Sequence, residues 1–215
     1  APERIWSEFK RILVGKNASQ ILQQMADDGV LRQIFDFDWM LDDYRISSLG
    51  HLQGNDVMDR LVVLFRDAPR ETCEAVCRTL KLSNKEKKSL TFRHSCLGHV
   101  PELLDSSLRI HQFILGEWAQ QHLRIEALFA PLNQNRHSKD EIEQRISRNQ
   151  TLMGDKSPKS LATGEWIMAQ TNMQQGPKLG ALKNWLHREQ IARNLTDLEQ
   201  IETLLCTLPW HEDEF

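Results

Sequence analysis

The sequence predicts an all-α fold. Apolar residues recur at three- and four-residue spacing along most of the 215 residues, and helix-start signatures stand at the heads of several of those runs. No convincing strand alternation, internal repeat or low-complexity tract interrupts them.

The elements follow in order. In ERIWSEFKRILV, Ile5, Phe9, Ile12 and Leu13 share a helical face, and Pro2 is tolerated in a first turn. A second helix starts near Asn17, carries Ile21, Leu22 and Met25, and stops at Gly29. Asn55 is the expected cap of DVMDRLVVLF, Asp67-Ala68-Pro69 closes that helix, and residues 71–79 fit a short one. A hydroxyl residue followed three positions later by glutamate predicts capping boxes at Ser83/Glu86, Ser138/Glu141 and Thr196/Glu199. After Pro101, the spacing of Leu104, Leu108, Leu115, Trp118, Ile125 and Phe129 predicts one long helix ending near Phe129. Residues 130–138 (APLNQNRHS) read as a loop, and residues 153–160 (MGDKSPKS) as a linker and domain boundary. Beyond it the pattern gives a short helix over 165–170 and a turn at 174–177, with Pro177 in a first helical position. A helix to about Ala192 and a last one over 197–206 complete the chain.

Composition narrows the function. A mean hydropathy of −0.50 and 27% charged residues describe a soluble globular protein, and no apolar run approaches the ~18 residues of a membrane span. A net charge of −3 excludes a strongly cationic nucleic-acid coat but leaves room for a local basic face. The charge is polarised: cations gather between Arg78 and Arg93, and after Arg193 only carboxylates follow. The four cysteines form no dense framework, which fits free thiols in a reducing cytoplasm.

Two constellations carry the ligand types of metal sites. Asp36 and Asp38 are a carboxylate pair of the kind that shares a divalent cation, yet they lack the turn-and-strand context of such sites, and a solvated inter-helix turn is the expected reading. Cys73-x₃-Cys77 and His94-x-Cys96-x₂-His99 hold zinc-type ligands at spacings that match no common finger; buried or half-buried cysteines are expected. No Walker loop, dinucleotide fingerprint, HExxH or GxSxG is present.

The basic stretch carries more. Arg78, Lys81, Lys85, Lys87, Lys88 and Arg93 surround one helix start, and Lys178 and Lys183 follow a second at Gly176-Pro177. A helix N-terminus flanked by cations suits a phosphate backbone, and two such patches without a base-reading motif point to recognition of a folded RNA by shape.

These segments, in order, resemble class II tRNA nucleotidyltransferases, the CCA-adding and poly(A) polymerase family. Residues 3–35 resemble the end of its neck, 56–69 (DVMDRL through LFRDAP) its body helix, and KLSNKEKKSL (81–90) a further helix start. Residues 163–200, with QQGPKLG and TDLE, resemble its tail. Glu165-Trp166 stands where Asp-Leu is usual, Gln175 where proline is common, and 98–129 match by helical pattern alone.

The resemblance implies a neck end over 1–35, a body over 36–152 and a tail over 153–215. It implies a chain that grips the acceptor stem and elbow of tRNA, with contacts drawn from the eight cations above, and no catalytic residue of its own. Glu3 and Arg4 match the last neck motif, which braces helices. The Mg²⁺-holding carboxylates and the residues that read CTP or ATP would lie in a head and upstream neck preceding Ala1. Poly(A) polymerase is the rival within the family, and a helical protein-binding scaffold the rival outside it.

Overall fold

The computed structural model of the chain describes residues 2–36, 41–132, 137–152, 158–208 and 210, and among them the secondary structure is entirely helical. In order the helices are α1 (Pro2–Val14), α2 (Ala18–Asp27), α3 (Val30–Ile34), α4 (Asp43–Ser48), α5 (Val57–Leu64), α6 (Arg70–Thr79) and α7 (Asn84–Cys96). Then follow α8 (Asp105–Leu115), α9 (Ala119–Phe129), α10 (Lys139–Leu152), α11 (Gly164–Thr171), α12 (Pro177–Arg193) and α13 (Leu198–Cys206).

Local chemistry accounts for most boundaries. Gly29, at φ 73, ends α2 in a conformation that favours glycine. At Ser83, Glu86 Oε2 accepts the cap N–H at 2.8 Å while Ser83 Oγ accepts the Glu86 N–H, so the capping box is complete. Ser138 and Glu141 make the same reciprocal pair. Three expectations are corrected. The cap of α5 is Asp56, whose carboxylate accepts from the N–H groups of Met58 and Asp59 at 2.8 and 3.1 Å, and not Asn55. The last cap is Asp197, which accepts from Gln200 N–H, while the Gln200 side chain accepts from Thr196 N–H; the cap stands one residue later than Thr196, and Glu199 is not its partner. The long helix after Pro101 is two: Gly116, at φ 57, ends α8, and a 3₁₀ turn over Gly116–Trp118 leads into α9. The loop over 130–138 begins with a 3₁₀ turn at Ala130–Leu132, and α4 has no counterpart in the sequence reading.

The chain forms two compact units, Ala1–Val100 with Gln121–Glu143, and Pro101–Gln120 with Gln144–Phe215. In the first, Trp6, Phe9 and Leu13 face inward from α1, and Phe35 stacks edge-on between Phe9 and Phe65 at 5.6 and 5.2 Å. The Tyr44 hydroxyl donates to the Leu128 carbonyl, fixing α4 to α9. In the second unit, Ile167, Leu179, Leu182, Leu186, Ile201, Leu204 and Leu205 bring α11, α12 and α13 around one core. Residues 158–208 all lie in that unit. The expected linker falls partly on 153–157 and the acidic end on 211–215, both outside the described residues. No helix among the described residues is long and apolar enough to cross a membrane.

Candidate nucleic-acid interface

The basic stretch is organised by one glutamate. Glu86, third residue of α7, closes the capping box, accepts from Trp6 Nε1 at 3.1 Å and lies 3.6 Å from Lys10 Nζ. Burial pushes its carboxyl pKa up, but Ser83, Trp6 and Lys10 outweigh that and hold it below the ordinary carboxylate range. A single side chain thus ties α1 to the head of α7. Lys10 also stands 5.0 Å over the Trp6 ring. It was not among the predicted contact residues, although its position four residues after Trp6 on one helical face was legible.

A second tie runs through Lys81. Its N–H donates to the Arg78 carbonyl and the Leu82 N–H to the Cys77 carbonyl, which closes α6 in a Schellman-type turn. Glycine is usual at such a position; Lys81 sits there at φ 48, and its ammonium reaches Glu3 Oε1 at 2.8 Å. Lys81, foremost by its hydrogen bond, holds the Glu3 carboxyl below its ordinary pKa. Arg4 is exposed beside it in the sequence.

Around these ties Arg78, Lys85, Lys87 and Lys88 are exposed on α6 and α7. Arg93 is not: its side chain is 16% exposed and bound to Asp56 at 2.6 Å and Asp59 at 2.7 Å. It braces α7 against α5, and both carboxylates that engage it are distant in sequence. In the second unit Lys178 is half-buried in the first turn of α12, and Lys183 is exposed one turn on. The two predicted patches therefore belong to different units.

Residues 1–37 match a family model described as the "probable RNA and SrmB-binding site of polymerase A". No curated protein and no solved structure matches the chain. The matched segment contains α1, the helix that Glu86 and Glu3 join to the lysine cluster.

The metal-type constellations end elsewhere. Asp36 is exposed, and Asp38 lies outside the described residues. Cys73 and Cys77 are buried thiols on one face of α6. Among the described residues no three His, Cys, Asp or Glu side chains are placed to hold a metal ion.

Sequence reasoning also missed the buried centre of the first unit. Arg66, 0% exposed, makes a bidentate pair with Glu126 at 3.1 and 2.9 Å and lies 4.7 Å over the Phe129 ring. Gly98 N–H donates to the same carboxylate at 2.6 Å. A cavity of about 560 Å³ opens beside it, lined by Arg66, Asp67, His99, Glu126, His137 and Ile142 among others. Its floor is structural, because Arg66 occupies Glu126, and Asp67 lies 3.5 Å from both Arg45 and Arg66.

This centre has a pH signature. His122 is fully buried and 3.5 Å from Glu126; burial lowers its pKa below the usual 6.5, helped by Arg66 and His99, against the pull of Glu126 and the Cys96 carbonyl. Burial lowers His94 in the same way. Below about pH 6.5 the unfolded chain takes up protons that these two folded sites resist, so unfolding gains. Stability is expected to be level between about pH 7 and 8 and to fall as pH drops from about 6.5 toward 5. Glu3, Asp56, Glu86 and Asp105 have lowered pKa values, so their losses begin only as pH falls through the ordinary carboxylate range. Urea midpoints at about pH 7.5 and 5.5 check this; equal midpoints contradict it.

Proposed function

We propose that this chain is the RNA-gripping neck end, body and tail of a class II tRNA nucleotidyltransferase, with tRNA as the substrate it holds. The observation that carries the proposal is the junction of α1, inside the segment matching the polymerase A family model, with the lysine-bearing head of α7. The match speaks for a polymerase-type RNA partner, and the junction sets exposed cations on the element that it supports. Arg78, Lys85, Lys87 and Lys88 would meet phosphates, with Lys10 at the rim and Lys178 and Lys183 forming the second patch. Phosphate contacts position a folded RNA without reading its sequence, as a tRNA-gripping body requires. The Mg²⁺-dependent transfer from CTP or ATP would be performed by a head domain outside this sequence. The proposed division is neck over 1–35, body over 36–152 and tail over 153–215.

The test is tRNA binding by the 215-residue chain at several salt concentrations, with duplex DNA as the competitor. Binding that favours tRNA and weakens steeply with salt is expected. Equal affinity for the two nucleic acids contradicts the proposal. The family model's description names polymerase A, which favours poly(A) addition as a second reading. The full-length protein, given CTP and ATP on a tRNA lacking its CCA end, separates them: incorporation of both nucleotides supports CCA addition, and of A alone poly(A) addition.

A further inference from the structure

Arginines drawn beneath the surface of the first unit take carboxylates with them. Arg45 pairs with Asp42 and Asp67, Arg66 with Glu126, and Arg93 with Asp56 and Asp59. Arg60, on α5, departs from this pattern. It is only 7% exposed, and its Nη2 donates to the Gly54 carbonyl at 3.0 Å. Its Nε is buried with no partner, and no carboxylate among the described residues forms an ion pair with it. A carbonyl satisfies one N–H and none of the charge. Burial alone is what depresses this guanidinium's pKa.

An uncompensated buried charge is costly to a fold, and proteins keep one where something outside completes it. Asp56 and Asp59, the carboxylates nearest in sequence, are engaged by Arg93. Gly54 turns at φ 85, and nothing stands within 4 Å of the point where a Cβ would be, so the turn beside Arg60 is open. A guanidinium fork matches phosphate oxygens and binds them with short, charge-assisted hydrogen bonds. Arg93, which holds the start of α5, lies five residues after Lys88, about 7–8 Å of helix rise from the lysine cluster.

We propose that Arg60, beside the open Gly54 turn, is a phosphate-binding position. The phosphate is one of an RNA backbone; that source rests on the function proposed above, whereas the anion site does not.

The experiment is thermal unfolding of the whole chain in inorganic phosphate, with sodium chloride holding ionic strength constant, for the wild type and Arg60→Met. The wild-type Tm is expected to rise saturably, by about 5 °C at a hundred times the Kd. Without phosphate, Arg60→Met is expected to melt no lower than the wild type, because an unpaired buried charge has gone. Its phosphate-dependent rise disappears, its tRNA affinity falls about tenfold, and its salt slope shrinks by about one. Absence of the rise in the wild type, or its survival in Arg60→Met, overturns the site. Loss of the rise with tRNA affinity and slope unchanged keeps the site and overturns RNA as the source, leaving a free phosphate or nucleotide. A wild type that shows the rise but binds no tRNA overturns the proposed function and leaves the site standing. Should Arg60→Met fail to fold, Arg60→Lys decides: it keeps a charge without the fork, and an undiminished rise overturns the proposal.

Discussion

Glu126→Ala is expected to destabilise the chain by about 3–5 kcal/mol, enough to leave much of it unfolded at 37 °C. Arg66 and Glu126 are 0% and 1% exposed, so the substitution leaves a buried guanidinium without its charge partner. It also orphans the Gly98 N–H, which donates to Glu126 at 2.6 Å, and so loosens the turn after α7. Urea unfolding at pH 7.5 measures the loss. A cost under about 1 kcal/mol, the range of exposed ion pairs, contradicts the assignment of a buried one.

The pair is not thereby a net stabiliser. Its two charges were desolvated on folding, and their mutual attraction repays that only in part. Arg66→Met with Glu126→Leu removes both and is expected to recover most of the single-variant loss. Recovery would assign the cost of Glu126→Ala to the charge left behind. Failure to recover would assign it to the hydrogen bonds with Gly98 and to the stacking of Arg66 on Phe129.

What the sequence made legible divides by range. Helix positions and two of the three capping boxes rest on residues within four of each other, and Ser83/Glu86 and Ser138/Glu141 stand as expected. Where two neighbouring residues compete for a cap, the backbone decides: Asp56 displaces Asn55 and Asp197 displaces Thr196 because their φ and ψ are extended at the helix start. The break at Gly116 was visible as a glycine but overridden by the apolar spacing around it. Partners far apart in sequence were invisible. Arg93 looked like one more cation beside Lys88, yet its carboxylates lie 34 and 37 residues upstream. Glu86 looked like a capping residue alone, and its role as the tie to Trp6 and Lys10 spans 80 residues in the first case. Charge clusters are readable from sequence; which members keep their charge for a partner is a property of packing.

Lys85, Lys87 and Lys88, changed together to Ala, are expected to weaken tRNA binding roughly a hundredfold at about 0.1 M salt. The three side chains are exposed on α7, with the capping box and the Glu86 ties beneath them left intact. Each phosphate neutralised on a duplex contributes about 0.9 to the slope of log affinity against log salt, so three contacts account for a change of about 2–3. The slope is the sharper readout, because a general loss of structure lowers affinity without reducing the number of counterions released in this stoichiometric way. Structure is controlled separately: alanine is the better helix former, so α7 gains intrinsic propensity and Tm is expected to hold or rise. The same substitutions leave duplex DNA binding weak in both proteins if the patch is shaped to tRNA, whereas a proportionate fall in DNA affinity would reduce it to a non-specific cationic surface. Unchanged tRNA affinity and slope would remove the head of α7 from the interface and shift the grip to Lys178 and Lys183 in the other unit.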